Sequence, residues 1–139
     1  MKQSSTQITF QTTGASLLNI TGPIKAWLRE QNVEQGLLTI FIRHTSASLT
    51  IQENADPDVL HDLNSFFRKL VPEIEGLYRH NAEGPDDMPA HIKSALTQTQ
   101  LTIPVTSSDL DLGIWQGIYI FEHREHAHKR NLSLHLIGQ

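Results

Sequence analysis

The sequence contains no cysteine, and that absence removes disulfide bridges, thiolate metal sites and thiol nucleophiles together. Any metal must therefore be held by histidine and carboxylate. No apolar run approaches the roughly 20 residues of a membrane-spanning helix, and Met1 to Phe10 lacks the basic-then-apolar order of a secretion signal. The expected compartment is the cytoplasm. Positive charge is not in excess either: 11 Lys and Arg stand against 15 Asp and Glu, a net charge of -4. A nucleic-acid backbone would find no broad cationic surface. The one surplus is histidine, with eight residues.

A chain of 139 residues is long enough for one real core and too short for two, so a single domain over 1–139 is expected. Hydrophobic residues at 38% and charged residues at 19% exclude the low-hydrophobicity, high-charge regime of disorder. Alternation of apolar and polar residues marks strands at 8–13 and 49–52, with a short strand at 16–20. Ile24, Trp27 and Leu28 recur at helical spacing after Pro23, predicting a helix to Gln31. The continuously apolar run Leu37 to Ile42 predicts a strand covered on both faces, delivering Arg43 and His44 at its end. Asp56-Pro57 reads as a helix start with a side-chain cap, and Pro72 as its stop. A polar loop from Tyr78 leads to a helix from about Pro89 to Leu96, and strands at 101–105, 115–122 and 132–137 close the chain around a turn at Ser107-Ser108-Asp109. The pattern is that of an α+β domain with a β-sandwich-like core of antiparallel or mixed strands and two to three helices.

Four segments concentrate chemistry. The first, His44 to Pro57, sets an imidazole at a strand end beside small hydroxyl residues, with Glu53 and Asp56 at a helix start where backbone N–H groups can receive a phosphate. Asp56 serves equally well as a plain helix cap and His44 as a polar strand end. The second, Tyr78 to His91, brackets three carboxylates, Glu83, Asp86 and Asp87, between His80 and His91. His91 is expected in the first helical turn, where the positive end of the helix favours a neutral imidazole fit to be a ligand or a base. The spacing matches no standard zinc motif, and a solvated acidic loop is the alternative. The third, Glu122 to Arg130, projects His126 and His128 from one face if extended, but reads better as a polar hairpin turn with a charged surface. In the fourth, Gly113 to Gly117, Trp115 can be a stacking platform and Gln116 a hydrogen-bonding reader, although a core aromatic at a strand start is the safer reading.

Taken in order, His44-Thr45-Ser46-Ala47, Glu53-Asn54-Ala55-Asp56-Pro57, Tyr78-Arg79-His80, Glu83 to His91 and Gly113-Ile114-Trp115-Gln116-Gly117 make the chain resemble the YjbQ family. The resemblance spans nearly the whole length and departs from it at Glu125 to His128, where many relatives are richer in Arg. It implies a homotrimer and a weak thiamine-phosphate synthase activity, a transferase reaction joining a pyrimidine methyl pyrophosphate to a thiazole phosphate with release of pyrophosphate. The family's polar positions fall on His44, Glu53, Asp56, His80, Glu83 and His91. With those positions marked, His44, His80 and His91 are expected to form the site as ligands of a divalent metal ion, Mg or Zn, with Glu53 and Asp56 orienting them. Arg79 or Lys93 would then touch the phosphate of a phosphorylated small-molecule substrate. A metal-assisted hydrolase of such a molecule, or a non-catalytic trimeric binding protein, fits the same residues.

Overall fold

The structure is a computed structural model describing residues 1–139. Eleven elements follow one another: β1 (Lys2–Gln11), β2 (Ser16–Asn19), α1 (Thr21–Arg29), β3 (Gln35–Ile42), β4 (Ala47–Glu53), α2 (Pro57–Leu70), α3 (Asp87–Leu96), β5 (Gln100–Thr106), β6 (Asp109–Leu110), β7 (Gln116–Glu122) and β8 (Lys129–Gly138). They form an α+β domain with two sheets, β1-β8-β3-β5-β6 and β2-β7-β4. Every pairing is antiparallel. No helix is long and apolar enough to cross a membrane.

Strand periodicity explains the core. In β5 and β8, alternate residues such as Leu101, Ile103, Val105, Leu132, Leu134 and Leu136 are buried, and they meet Leu49, Ile118 and Ile120 of the smaller sheet with Ile24 and Leu28 of α1. The apolar run of β3 obeys the same alternation, contrary to the expectation of a strand covered on both faces. Leu38, Ile40 and Ile42 are buried, whereas Leu37 and Phe41 are 52% and 44% exposed. An antiparallel sheet needs only one covered face, and the outer face of the larger sheet is open here. The strand that is covered on both faces is β7, at the centre of the smaller sheet, because Phe67 of α2 packs edge-on against Phe121 from the other side.

Local signals act as expected at α2, where Asp56 Oδ1 accepts from the Asp58 N–H at 2.9 Å and Pro57 occupies the first turn. They act differently at α3. That helix begins at Asp87, two residues before Pro89, since the first turn tolerates proline. His91 consequently lies in the second turn. Ser107 and Ser108 both take positive φ, 52° and 64°, in the two-residue hairpin joining β5 to β6.

Segment 122–130 is not a charged surface turn throughout. Its ends are buried: Glu122 is 0%, His123 1% and Arg130 3% exposed. The Glu122 carboxylate accepts from Arg130 Nε at 2.8 Å and Thr12 Oγ1 at 2.7 Å, and a second Arg130 nitrogen closes the pair. Burial alone would raise the Glu122 carboxyl above its ordinary value of 4.5, but these hydrogen bonds and the Arg130 charge hold it below. The stabilisation is thus complete above the unfolded glutamate value and is lost as pH falls through the lower folded one. Glu122→Gln should lose about 3–5 kcal/mol near neutral pH and show a flatter dependence of stability on acidity below pH 4.5. Urea unfolding across that range checks both; parallel curves for the two chains would contradict the assignment.

Candidate functional site

Gly84 takes a positive φ of 106°, a turn conformation that glycine adopts without cost, and Pro85 then feeds the chain into α3. Asp86 occupies the cap position of that helix without capping it. Its carboxylate instead accepts from Arg124 Nε and from the Glu125 backbone N–H, each at 2.9 Å. Asp87, the first residue of α3, is an acid at the positive end of the helix dipole. His91 stands at the i,i+4 position on the same face.

Four side chains converge at this point. One nitrogen or carboxylate oxygen from each of His80, Glu83, Asp87 and His91 lies within 4.8 Å of all the others. Asp87 is the centre, its side chain 2% exposed. Its Oδ2 meets His80 Nε2 at 2.6 Å and His91 Nε2 at 3.2 Å, while Oδ1 meets Arg124 Nη1 at 3.0 Å. Glu83 stands at the rim with an oxygen 3.9 Å from His80 Nε2. Burial pushes the Asp87 carboxyl up, yet hydrogen bonds with His80 and Glu83 and the charges of His91 and Arg124 hold it below the ordinary range. It is a carboxylate at neutral pH.

The other nitrogen of His91 fixes the chemistry of the group. Nδ1 lies 2.9 Å from the Thr45 carbonyl oxygen, which only accepts, so Nδ1 carries the hydrogen. A neutral His91 then turns the lone pair of Nε2 towards an ionised carboxylate oxygen. Two acceptors 3.2 Å apart require a cation between them, either a proton on the ring or a metal ion. Imidazoles held by a backbone carbonyl, with carboxylates beside them, are the donors and the outer support that divalent ions use. The residues fit a metal.

His44 is not in this group. Its Nε2 accepts from the Asn131 backbone N–H at 2.8 Å, which ties the end of β3 to β8. Burial and then the Arg130 charge lower its pKa, keeping it neutral. Glu53 and Asp56 do not orient the histidines: a Glu53 carboxylate oxygen accepts from the Asp56 N–H at 3.3 Å, and Asp56 caps α2. His126 and His128 lie in the exposed turn, with His128 Nδ1 donating to the His126 carbonyl at 2.7 Å. Trp115 is 61% exposed, just outside β7, and is no core aromatic. Among the anticipated residues, then, His80, Glu83 and His91 come together.

Asp87, expected only as one of three loop carboxylates, and Arg124 join the anticipated residues here. Asp87 carried a signal, the Asp-x-x-x-His spacing of one helix face, hidden by starting the helix at Pro89. Arg124 carried none, since it reaches Asp86 across 38 residues of chain. His123 was passed over. It is buried, with Nε2 2.9 Å from Ser48 Oγ, and burial together with the Lys93 charge pushes it down to about 3.

Comparison with known proteins places the architecture. The sequence profile described as UPF0047 protein YjbQ-like matches residues 6–139. The UPF0047 protein of Synechocystis sp. is 51% identical over 138 residues, covering 99% of this chain and 94% of its own. The UPF0047 protein YjbQ of Escherichia coli O157:H7 is 48% identical over 107 residues, 77% of each chain. A crystal structure of an uncharacterized conserved protein of the YjbQ/UPF0047 family from Clostridium acetobutylicum has a TM-score of 0.86 at 34% identity, covering 95% of this chain and 99% of its own. With the similarity spread over nearly the full length of both chains, this protein belongs to the YjbQ-like UPF0047 family.

Proposed function

We propose that the protein is an enzyme of phosphorylated small molecules whose reaction centre is a divalent cation held by His80, Glu83, Asp87 and His91. The observation that carries this reading is the opposition of His91 Nε2 and Asp87 Oδ2, with Nδ1–H already committed to Thr45. Two imidazoles among the donors favour zinc or a similar ion over magnesium, which prefers oxygen and water. Such an ion supplies charge stabilisation at a phosphoryl or pyrophosphate oxygen. His80 also borders a cleft of about 410 Å³ lined with Ile74, Tyr78, Asn81 and Pro85, a volume suited to a small substrate. Arg79 stands in the chain between the lining residues Tyr78 and His80, outside the lining itself; it is exposed and makes no ion pair, which leaves it available to a phosphate.

The reaction we favour is thiamine-phosphate synthesis, as the sequence resemblance implies. A bond forms between the thiazole nitrogen and the pyrimidine methylene as the bond to pyrophosphate breaks, and the leaving group takes the electron pair. What the site offers is charge stabilisation for that departing anion. Hydrolysis of a phosphorylated molecule is the second reading, favoured by exposure of the His80 and Glu83 side chains, 48% and 65%, which lets water reach the group. Incubation with the two phosphorylated precursors and a divalent ion should yield thiamine phosphate and pyrophosphate. His80→Ala and His91→Ala should lower turnover by about 10²–10³-fold, as loss of a stabilising group does. Phosphate release without a joined product would favour the hydrolase. Folded variants with unchanged turnover would refute the site, and no turnover of either kind would leave a binding protein.

Metal content gives an independent test. The purified protein should retain zinc or a similar ion through dialysis, and Asp87→Asn and His91→Ala should each lose it. Elemental analysis of folded variants that kept the full amount would exclude these residues as ligands.

We also propose that the chain assembles as a homotrimer. Leu37 and Ile137 are register neighbours on β3 and β8, and Phe41 lies exposed on the same open face of the larger sheet beyond the intervening Thr39–His135 pair. Light scattering should give three times the 15.7 kDa chain mass, and Phe41→Glu should shift the protein towards monomer. A monomeric wild type would reject the assembly.

A further inference from the structure

Lys93 does not face the histidine group, where a phosphate contact was anticipated. Asp87 and His91 share one face of α3, whereas Lys93 lies two turns beyond Asp86 and shares that residue's face. It is 4% exposed and lines a second cleft of about 200 Å³ with Arg68, Val71, Pro72 and Glu73. Its ammonium makes no hydrogen bond and no ion pair within the chain, although buried lysines are almost always partnered. Of the charges around it, Arg68 acts on it most strongly and has the same sign, with Glu125, Glu73 and Asp86 each opposing it less strongly.

From this geometry we infer that the cleft between the end of α2 and α3 binds a small oxyanion, a carboxylate or phosphate group, between Lys93 and Arg68. Arg68 gives two of its donors to Glu125, at 3.0 and 3.2 Å, and a guanidinium has five. Donors therefore remain for a ligand. Glu73, the acidic group in the lining, is pushed above the ordinary carboxyl range by partial burial and by the charges of Glu125 and Asp86. His123, close enough to feel the Lys93 charge, has a buried Nδ1 without a partner. This cleft is separate from the proposed metal group and does not depend on it.

The test is calorimetric titration of the full chain with inorganic phosphate and with acetate, against sodium chloride at matched ionic strength. Chelator-treated His91→Ala serves as the host, so that an anion bound to a metal cannot be mistaken for this site. Saturable binding of either anion is expected, with phosphate alone marking a phosphate site and acetate alone a carboxylate site. Adding Lys93→Met should weaken it at least tenfold, and Arg68→Gln should weaken it as well. Absence of saturable binding by both anions, or binding unchanged in the Lys93→Met chain, would overturn the inference. If Lys93→Met does not fold, Arg68→Gln decides by the same measurement.

Discussion

The buried pair of Glu122 and Arg130 is the constraint on which the architecture turns, because it sits where the chain passes between the two sheets. Three crossings meet there: β1 to β2 through Thr12, β3 to β4 through Ser46, and β7 to β8 through the turn after Glu122. Thr12 donates to Glu122, and Arg130 donates to the Ser46 carbonyl at 3.1 Å. Apolar residues of equal volume would give comparable stability at such a place. They would not select the pairing of corners, since hydrophobic contact has no direction, whereas a carboxylate facing a guanidinium and a hydroxyl does. The ordering of the corners in turn places Thr45, whose carbonyl fixes the tautomer of His91.

From that corner the ionic network runs on into the candidate site. The Arg124 backbone N–H donates to Glu122 at 3.2 Å, and its side chain reaches Asp86, Asp87 and the Glu83 carbonyl. One arginine thereby orients three acidic residues of the loop and of α3. Asp87 can be buried and ionised because Arg124 neutralises one oxygen while the imidazoles face the other. The site is held firmly at Asp87 and stays open at His80 and Glu83, as a group meant to receive something from solution would be. That asymmetry follows from which residues sit on α3 and which on the loop before it.

The strands were legible in the sequence because one buried face imposes a period of two, and β5, β8 and the short β2 lie close to where alternation and turn residues put them. The cap at Asp56 was legible because its cause is local. Burial on both faces of β3 was misjudged, since apolar content alone does not reveal whether a second layer covers a sheet. In the site, His80, Glu83 and His91 are close in sequence and could be grouped. Arg124 could not, because nothing local connects it to α3. Asp87 was obscured by a helix boundary misplaced by two residues, enough to hide an i,i+4 pair.

Histidine content was the feature that invited a metal reading, and burial separates its members physically. His123 lies within the core, where its charged form would lose hydration that Ser48 does not replace, so it stays neutral and fills space against Phe121. His44 uses its lone pair on a backbone N–H that the ladder between β1 and β8 leaves at the sheet corner, and Arg130 beside it disfavours a second positive charge. Both are occupied by the fold before any ligand arrives. His80 and His91 differ because each turns a nitrogen towards the same carboxylate oxygen while remaining within reach of solvent. Strand-end position and proximity to hydroxyl residues, the properties that recommended His44, describe where a side chain starts. Only the partner of each ring nitrogen decides whether its lone pair is free for a metal.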